Sequence, residues 1–101
     1  MDTYILDAND LPIRATMMDS FKWKEKFGRH VGKDKIGDVG INTVFLGMDH
    51  GYDGGPPVLW ETMIFGGIND QYQERYISKK SAIEGHKRAV EAVKRGVNLH
   101  D

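Results

Sequence analysis

The 101-residue chain contains no cysteine. Disulfide staples, a thiol nucleophile and a thiolate metal centre are therefore excluded. Proline is scarce, and no internal repeat, low-complexity tract or linker divides the chain, so one domain over residues 1–101 is expected. No apolar run approaches the ~18 residues of a membrane span. The acidic start MDTYILDAND lacks the basic opening and apolar centre of a signal peptide. A soluble cytoplasmic protein, without membrane contact, is the expectation.

Positive charge is missing from one long region. Residues 36–74 carry no Lys or Arg, but hold Asp38, Asp49, Asp53, Glu61, Asp70 and Glu74. Basic residues cluster on either side, at 22–35 and 75–95. The net charge of −1 thus hides an acidic middle between two basic flanks. Such flanks are usually the solvated faces of helices, and they can also meet an anionic ligand. Lys22, Trp23, Lys24, Lys26 and Phe27 interleave bases and aromatics as nucleic-acid platforms do. The overall acidity argues against a general nucleic-acid binder.

Hydrophobic residues make up 40% of the chain, enough for one modest core. TYILD (3–7) and LPIRAT (11–16) read as short strands about the turn residues AND, with Pro12 confining the second to an edge or a strand start. Asp19 or Ser20 is placed to cap a short helix over about 20–28, ending at Gly28. A short strand is expected near 34–37. INTVFLGM (41–48) and VLWETMIF (58–65) are the strong strands, joined by DHGYDGGPP, a loop of nine residues. QYQERYI (71–77) alternates as a third. Ser78 or Ser81 caps a long helix that Gly96 stops, with Ala82, Ile83, His86, Ala89, Val90 and Val93 on one face. The expected fold class is α+β: an antiparallel sheet of four to five strands, a long C-terminal helix packed on one face and a shorter N-terminal helix.

If the loop holds its strands in symmetric register, Val44, Leu46, Trp60 and Ile64 share the face under the long helix. Thr43, Phe45, Leu59, Glu61, Met63 and Phe65 then share the other, and a one-residue shift exchanges these partners. An uncovered face bearing Phe45, Met63 and Phe65 would favour a homo-oligomer. Glu61 stands mid-strand among apolar neighbours, where a carboxylate needs water or a partner such as Arg75. It is also the best-placed candidate for a base or a ligand-binding carboxylate.

Asp49, His50 and Glu61 are the candidate catalytic set. Adding Asp53 makes a conceivable metal site, but the spacing is neither H-E-x-x-H nor a calcium loop. No phosphate-loop spacing is present either, so no metal and no cofactor are expected. Ser20, Ser78 and Ser81 read as caps, which leaves a Ser-His-Asp hydrolase without a nucleophile. His86, on the apolar helix face, reads as a core histidine satisfied by backbone. Candidate ligand contacts are Asp49, His50, Tyr52, Glu61, Trp23, Arg75 and His86.

The succession INTVFLGMDH, GGPPVLWETMIFGG, ERY and SAIEGHKRAV resembles a group of short bacteriophage and prophage proteins. Their pattern is F-L-G-x-D-H, then G-P-P-x-L-x-E-T-M-x-F-G-G, an R-Y and a helical E-x-G-H. Here the last element reads Glu84-Gly85-His86, without the spacer. The signature spans about residues 36–93 and falls on Asp49, His50, Pro56, Pro57, Glu61, Thr62, Met63, Gly66, Gly67, Arg75, Tyr76, Gly85 and His86. It names no activity. The resemblance implies an accessory binding module acting in the host-cell cytoplasm, an anti-defence inhibitor or sequestering protein for a host protein or a nucleotide-like signal. A small hydrolase using Asp49, His50 and Glu61 and a virion component without a site are the rivals.

Overall fold

Alternation and β-branched residues make the centre of the molecule. In the computed structural model, which describes residues 2–51 and 54–100, strands β3 (His30–Ile36), β4 (Val39–Phe45), β5 (Trp60–Phe65) and β6 (Gln73–Tyr76) form one antiparallel meander. Strands β1 (Thr3–Leu6) and β2 (Pro12–Ala15) form a second, two-stranded sheet. Helix α1 (Met17–Phe27) follows that hairpin, and helix α2 (Lys79–Arg95) ends the ordered elements. The α+β class and the docking of the long helix on the sheet are as expected. The strands, however, divide into two sheets, linked by a Thr3–Met48 bridge and a bond from Tyr4 N–H to Gly47 O.

That link corrects the expected register. Residues 47–49 leave β5 and turn to β1, with Asp49 N–H bonded to Asp2 O. On one side of the hairpin Leu46 N–H still meets Leu59 O, and beyond the excursion His50 N–H meets Val58 O. The loop is therefore lopsided, and the ladder pairs Ile41 with Ile64, Thr43 with Thr62, Val44 with Glu61 and Phe45 with Trp60. Phe45 belongs to the helix-covered face and Val44 to the opposite one, the exchange a one-residue slip produces. Gly47 permits the departure: its φ is 75°, and a Cβ there would stand 2.9 Å from Ser20 Oγ.

Two further boundaries differ. Helix α1 begins at Met17 because Thr16, rather than Asp19 or Ser20, accepts the Asp19 N–H. Ser20 is buried and donates to Tyr4 O, tying α1 to β1. Strand β3 runs from His30, well before the expected 34, with a register shift between His30 and Gly32. Its sequence HVGKDKI has little β-character. It is an edge strand, where charged side chains discourage further pairing, and its partner β4 supplies the ladder.

The core has two centres. Leu6, Phe45, Leu59, Trp60, Tyr76 and Ala82 form one, with Trp23 of α1 packed edge-on against Phe45 at 5.3 Å. Ile41, Ile64 and Ala89 form the other under the C-terminal half of α2. Each large apolar side chain so buried is worth about 1.5–3 kcal/mol. Ser78 caps α2 and Gly96, in the left-handed conformation, closes it. The capping-box reading of Ser81 gives way to Ser78, whose Oγ accepts the Ser81 N–H. None of the described helices is long and apolar enough to cross a membrane.

Asn69 ties the tail to the β5–β6 turn. Its amide donates to Val97 O at 2.7 Å and accepts the Leu99 N–H at 2.7 Å, and the side chain is buried. Asn69→Ala is expected to cost about 2 kcal/mol in urea denaturation, because two backbone groups lose their partner. The Leu99 amide should exchange with solvent far faster in the variant, and unchanged protection would show that the tail is held by packing alone.

Candidate functional site

The sequence candidates occupy separate parts of the molecule. Asp49 is committed to its own loop. One carboxylate oxygen accepts Val58 N–H at 2.9 Å and Gly51 N–H at 2.8 Å. These two backbone donors, Val58 foremost, hold its pKa below the usual aspartate value. His50 Nδ1 donates to Met48 O at 2.8 Å, turning the ring toward its own backbone. Tyr52 and Asp53 lie outside the described residues.

A lowered pKa in the folded state means that the Asp49 contribution is complete above the ordinary aspartate pKa. It is lost as pH falls through the lowered value. The Gly51 and Val58 amide resonances should therefore titrate together, with a midpoint below the 3.8 of a free aspartate. A midpoint at or above that value would contradict the loop-closing role.

Glu61 lies on the face of the meander opposite α2. Its Oε2 accepts from Arg75 Nε at 2.9 Å and from Gln73 Nε2 at 2.5 Å. Arg75 stands directly across the ladder from it. A shallow hollow of about 260 Å³ lies beside Glu61, over Val44, Met63 and Phe65, with Arg29 and His30 at its rim. The pairing to Arg75 answers the carboxylate's need for a partner, and Asp49 and His50 take no part in it.

His86 is buried between α2 and the sheet, and its partners are side chains rather than backbone. Nε2 donates to Asp34 Oδ2 at 2.6 Å, and Nδ1 lies 2.7 Å from Thr43 Oγ1. The chain continues from Thr43 to Thr62 at 2.5 Å, from Thr62 to Tyr76 OH at 2.9 Å, and from Tyr76 OH to Glu74 at 2.8 Å. Burial pushes the Tyr76 phenol far above its usual value, so it stays a donor. Asp34, His86 and Thr43 have the order of a carboxylate–imidazole–hydroxyl triad. Thr43, however, is wholly buried and spends its hydroxyl on Thr62 and His86. The chain pins α2 to all four strands of the meander.

Two glycines make the pin possible. A Cβ at Gly32 would fall 2.7 Å from the His86 ring. A Cβ at Gly85 would fall 2.1 Å from Tyr76 OH and 2.4 Å from its ring. Neither position takes a side chain unless the facing ring or the backbone shifts.

A larger concavity lies elsewhere, where the β1–β2 turn approaches the start of α2. A hollow of about 570 Å³ runs along Leu11, Lys79, Lys80, Ile83, Glu84 and Lys87. A second, of about 550 Å³, runs along Trp23, Phe27, Arg29, His30 and Phe45. The two share Asp10, Trp60 and Lys79, and so adjoin as one groove. Each half has the size usual for a small-molecule site, about 300–1,000 Å³. The Asp10–Lys79 ion pair, at 3.1 Å, bridges it.

Trp60 lines both halves. It is wholly buried, and its Nε1 is, among the described residues, the buried side-chain polar atom without a hydrogen-bond partner. Burying an N–H unpaired typically costs about 1–3 kcal/mol, and a tryptophan so placed usually finds an acceptor.

Of the sequence candidates among the described residues, the groove takes in Trp23 alone. Arg75 and Glu61 meet on the open face, Asp49 and His50 on the loop, and His86 under α2. Among the described residues, no group of three or more His, Asp or Glu side chains is arranged to hold a metal ion. The sequence reading passed over Trp60 as plain core and Asp10, Lys79, Lys80 and Lys87 as surface. The one signal it held was the basic flank opening at Arg75, part of which borders the groove. Comparison with models of known families, with curated proteins and with solved structures finds no match to this chain.

Proposed function

We propose that this protein is a binding module that holds a small ligand in the groove floored by Trp60, rather than a catalyst. The observation that carries the reading is the buried, unpartnered indole N–H of Trp60 beside a groove of ligand size. A ligand acceptor reaching that N–H would repay its desolvation. The commitments of the polar side chains support the same reading. Asp49 closes a loop, Glu61 is held by Arg75 and Gln73, and His86 is spent on Asp34 and Thr43. None is left poised as nucleophile or base.

In the bacteriophage setting that the sequence resemblance implies, such a module would serve as an accessory protein that sequesters a host signal molecule. Native mass spectrometry of protein purified gently from cells tests the reading. A retained small-molecule mass, lost on Lys79→Glu/Lys80→Glu, is the expected spectrum. Retention of the same mass by that variant would place the ligand elsewhere and overturn the reading.

A further inference from the structure

Resting on that reading, we infer that the groove takes a phosphate ester of a planar ring, of nucleoside monophosphate type, with its phosphate at the α2 end and its ring toward Trp23 and Phe27. The two halves of the groove differ in chemistry. The α2 half holds Ser78, Lys79, Lys80 and Lys87, against one uncommitted carboxylate, Glu84. Lys80 and Lys87 make no ion pair among the described residues. The first turn of α2 contains no acidic residue. The positive end of a helix of 17 residues, capped by the neutral Ser78, thus faces this half without an acidic residue in its first turn.

The other half is aromatic. Trp23 and Phe27 lie 5.2 Å apart on one side of α1, and Phe27 is largely exposed. Arg29 and His30 border them. A flat ring can lie against this pair, and stacking of this kind tolerates many ring types. Trp60 borders both halves, and its buried N–H is left without an acceptor among the described residues.

Asp10 is the competitor. Its carboxylate pairs with Lys79 across the groove, and both side chains are partly exposed, so the pair is cheap to exchange for another anion. Asp10 stands in the left-handed conformation, φ 62°, at the β1–β2 turn. Asparagine tolerates that conformation equally well, so Asp10→Asn removes the charge and keeps the turn.

Titration calorimetry with adenosine, adenosine monophosphate and inorganic phosphate tests the inference. The Trp60 indole resonance is followed in parallel. The monophosphate should bind about tenfold or more tightly than the nucleoside, as expected for charge-assisted hydrogen bonds to a phosphate. That preference should collapse in Lys80→Gln/Lys87→Gln, whose exposed substitutions leave folding intact. Asp10→Asn should tighten the monophosphate severalfold without changing the nucleoside. Equal binding of nucleoside and monophosphate, with the indole resonance moving, would overturn the phosphate inference and leave the groove reading standing. An indole resonance unmoved by all three probes, in a protein that still retains a cellular small-molecule mass lost on Lys79→Glu/Lys80→Glu, would also overturn this inference alone. The same silence with that mass retained by the variant would remove both.

Discussion

Gly85→Ala is expected to destabilise the fold by about 3 kcal/mol. In a domain of this size that lowers Tm by roughly 10–20 °C. The direction is not obvious, because two effects oppose each other. Alanine improves on glycine within a helix by about 1 kcal/mol. Against this, the new methyl group would lie 2.1 Å from Tyr76 OH and 2.4 Å from the ring carbons behind it. Tyr76 cannot swing aside, because its hydroxyl is held by Thr62 and Glu74 and its ring is buried. The helix must lift instead, which strains the His86 contacts one residue on. Tyr76→Phe removes only the oxygen and should rescue little. Tyr76→Leu should make the alanine tolerable, so the two substitutions should couple by about 1–2 kcal/mol in a double-mutant cycle. A more stable Gly85→Ala protein would mean that propensity outweighs the contact, and the packing described for α2 would be wrong.

His86→Ala should cost about 2–4 kcal/mol. The loss combines a ring-sized cavity with two broken hydrogen bonds, one to Asp34 and one to Thr43. Asp34 is half exposed and can turn to water. Thr43 cannot, and would keep only Thr62. The chain character of these contacts gives a sharper test. Thr43→Val and Thr62→Val should each destabilise by about 1–2 kcal/mol, since each leaves buried partners unmatched. The double substitution should cost clearly less than their sum, because it removes both sides of one contact. Strict additivity in urea denaturation would show that the two hydroxyls do not interact.

Much of this architecture is legible in the residues, and the failures have physical causes. α2 could be read because its apolar positions recur with helical period and Ser78 and Gly96 punctuate it. β4 and β5 could be read because their residues suit a pleated surface. Their register could not, since it depends on residues 47–49 leaving the hairpin to pair with β1, a contact distant in sequence. β3 was hidden by its charges, which suit an edge. Glu61, Thr62, Arg75, Tyr76, Gly85 and His86 stand out together in the sequence. In space these form two separate sets, Glu61 with Arg75 on the open face and the others in the pin beneath α2.

The groove as a whole was not legible, although Trp23 and the basic flank after Arg75 contribute to it. Its walls come from the β1–β2 turn, the end of α1 and the start of α2, and nothing local marks them as neighbours. The single-residue signal, a tryptophan N–H without an acceptor, exists only once the fold has buried it.

The location of bound ligand is the point on which the functional reading turns. The most direct measurement is two-dimensional NMR of the labelled protein while the small-molecule fraction of a cell extract is added. The chain has two tryptophans, so Trp23→Phe assigns the Trp60 indole N–H without ambiguity. Movement of that resonance and of the Lys79 and Lys80 amides, with the Gly51 and Glu61 amides unmoved, is the predicted result. Movement of the Gly51 or Glu61 amides with a silent Trp60 indole would contradict it, and would place the site at the hairpin loop or on the open face of the sheet.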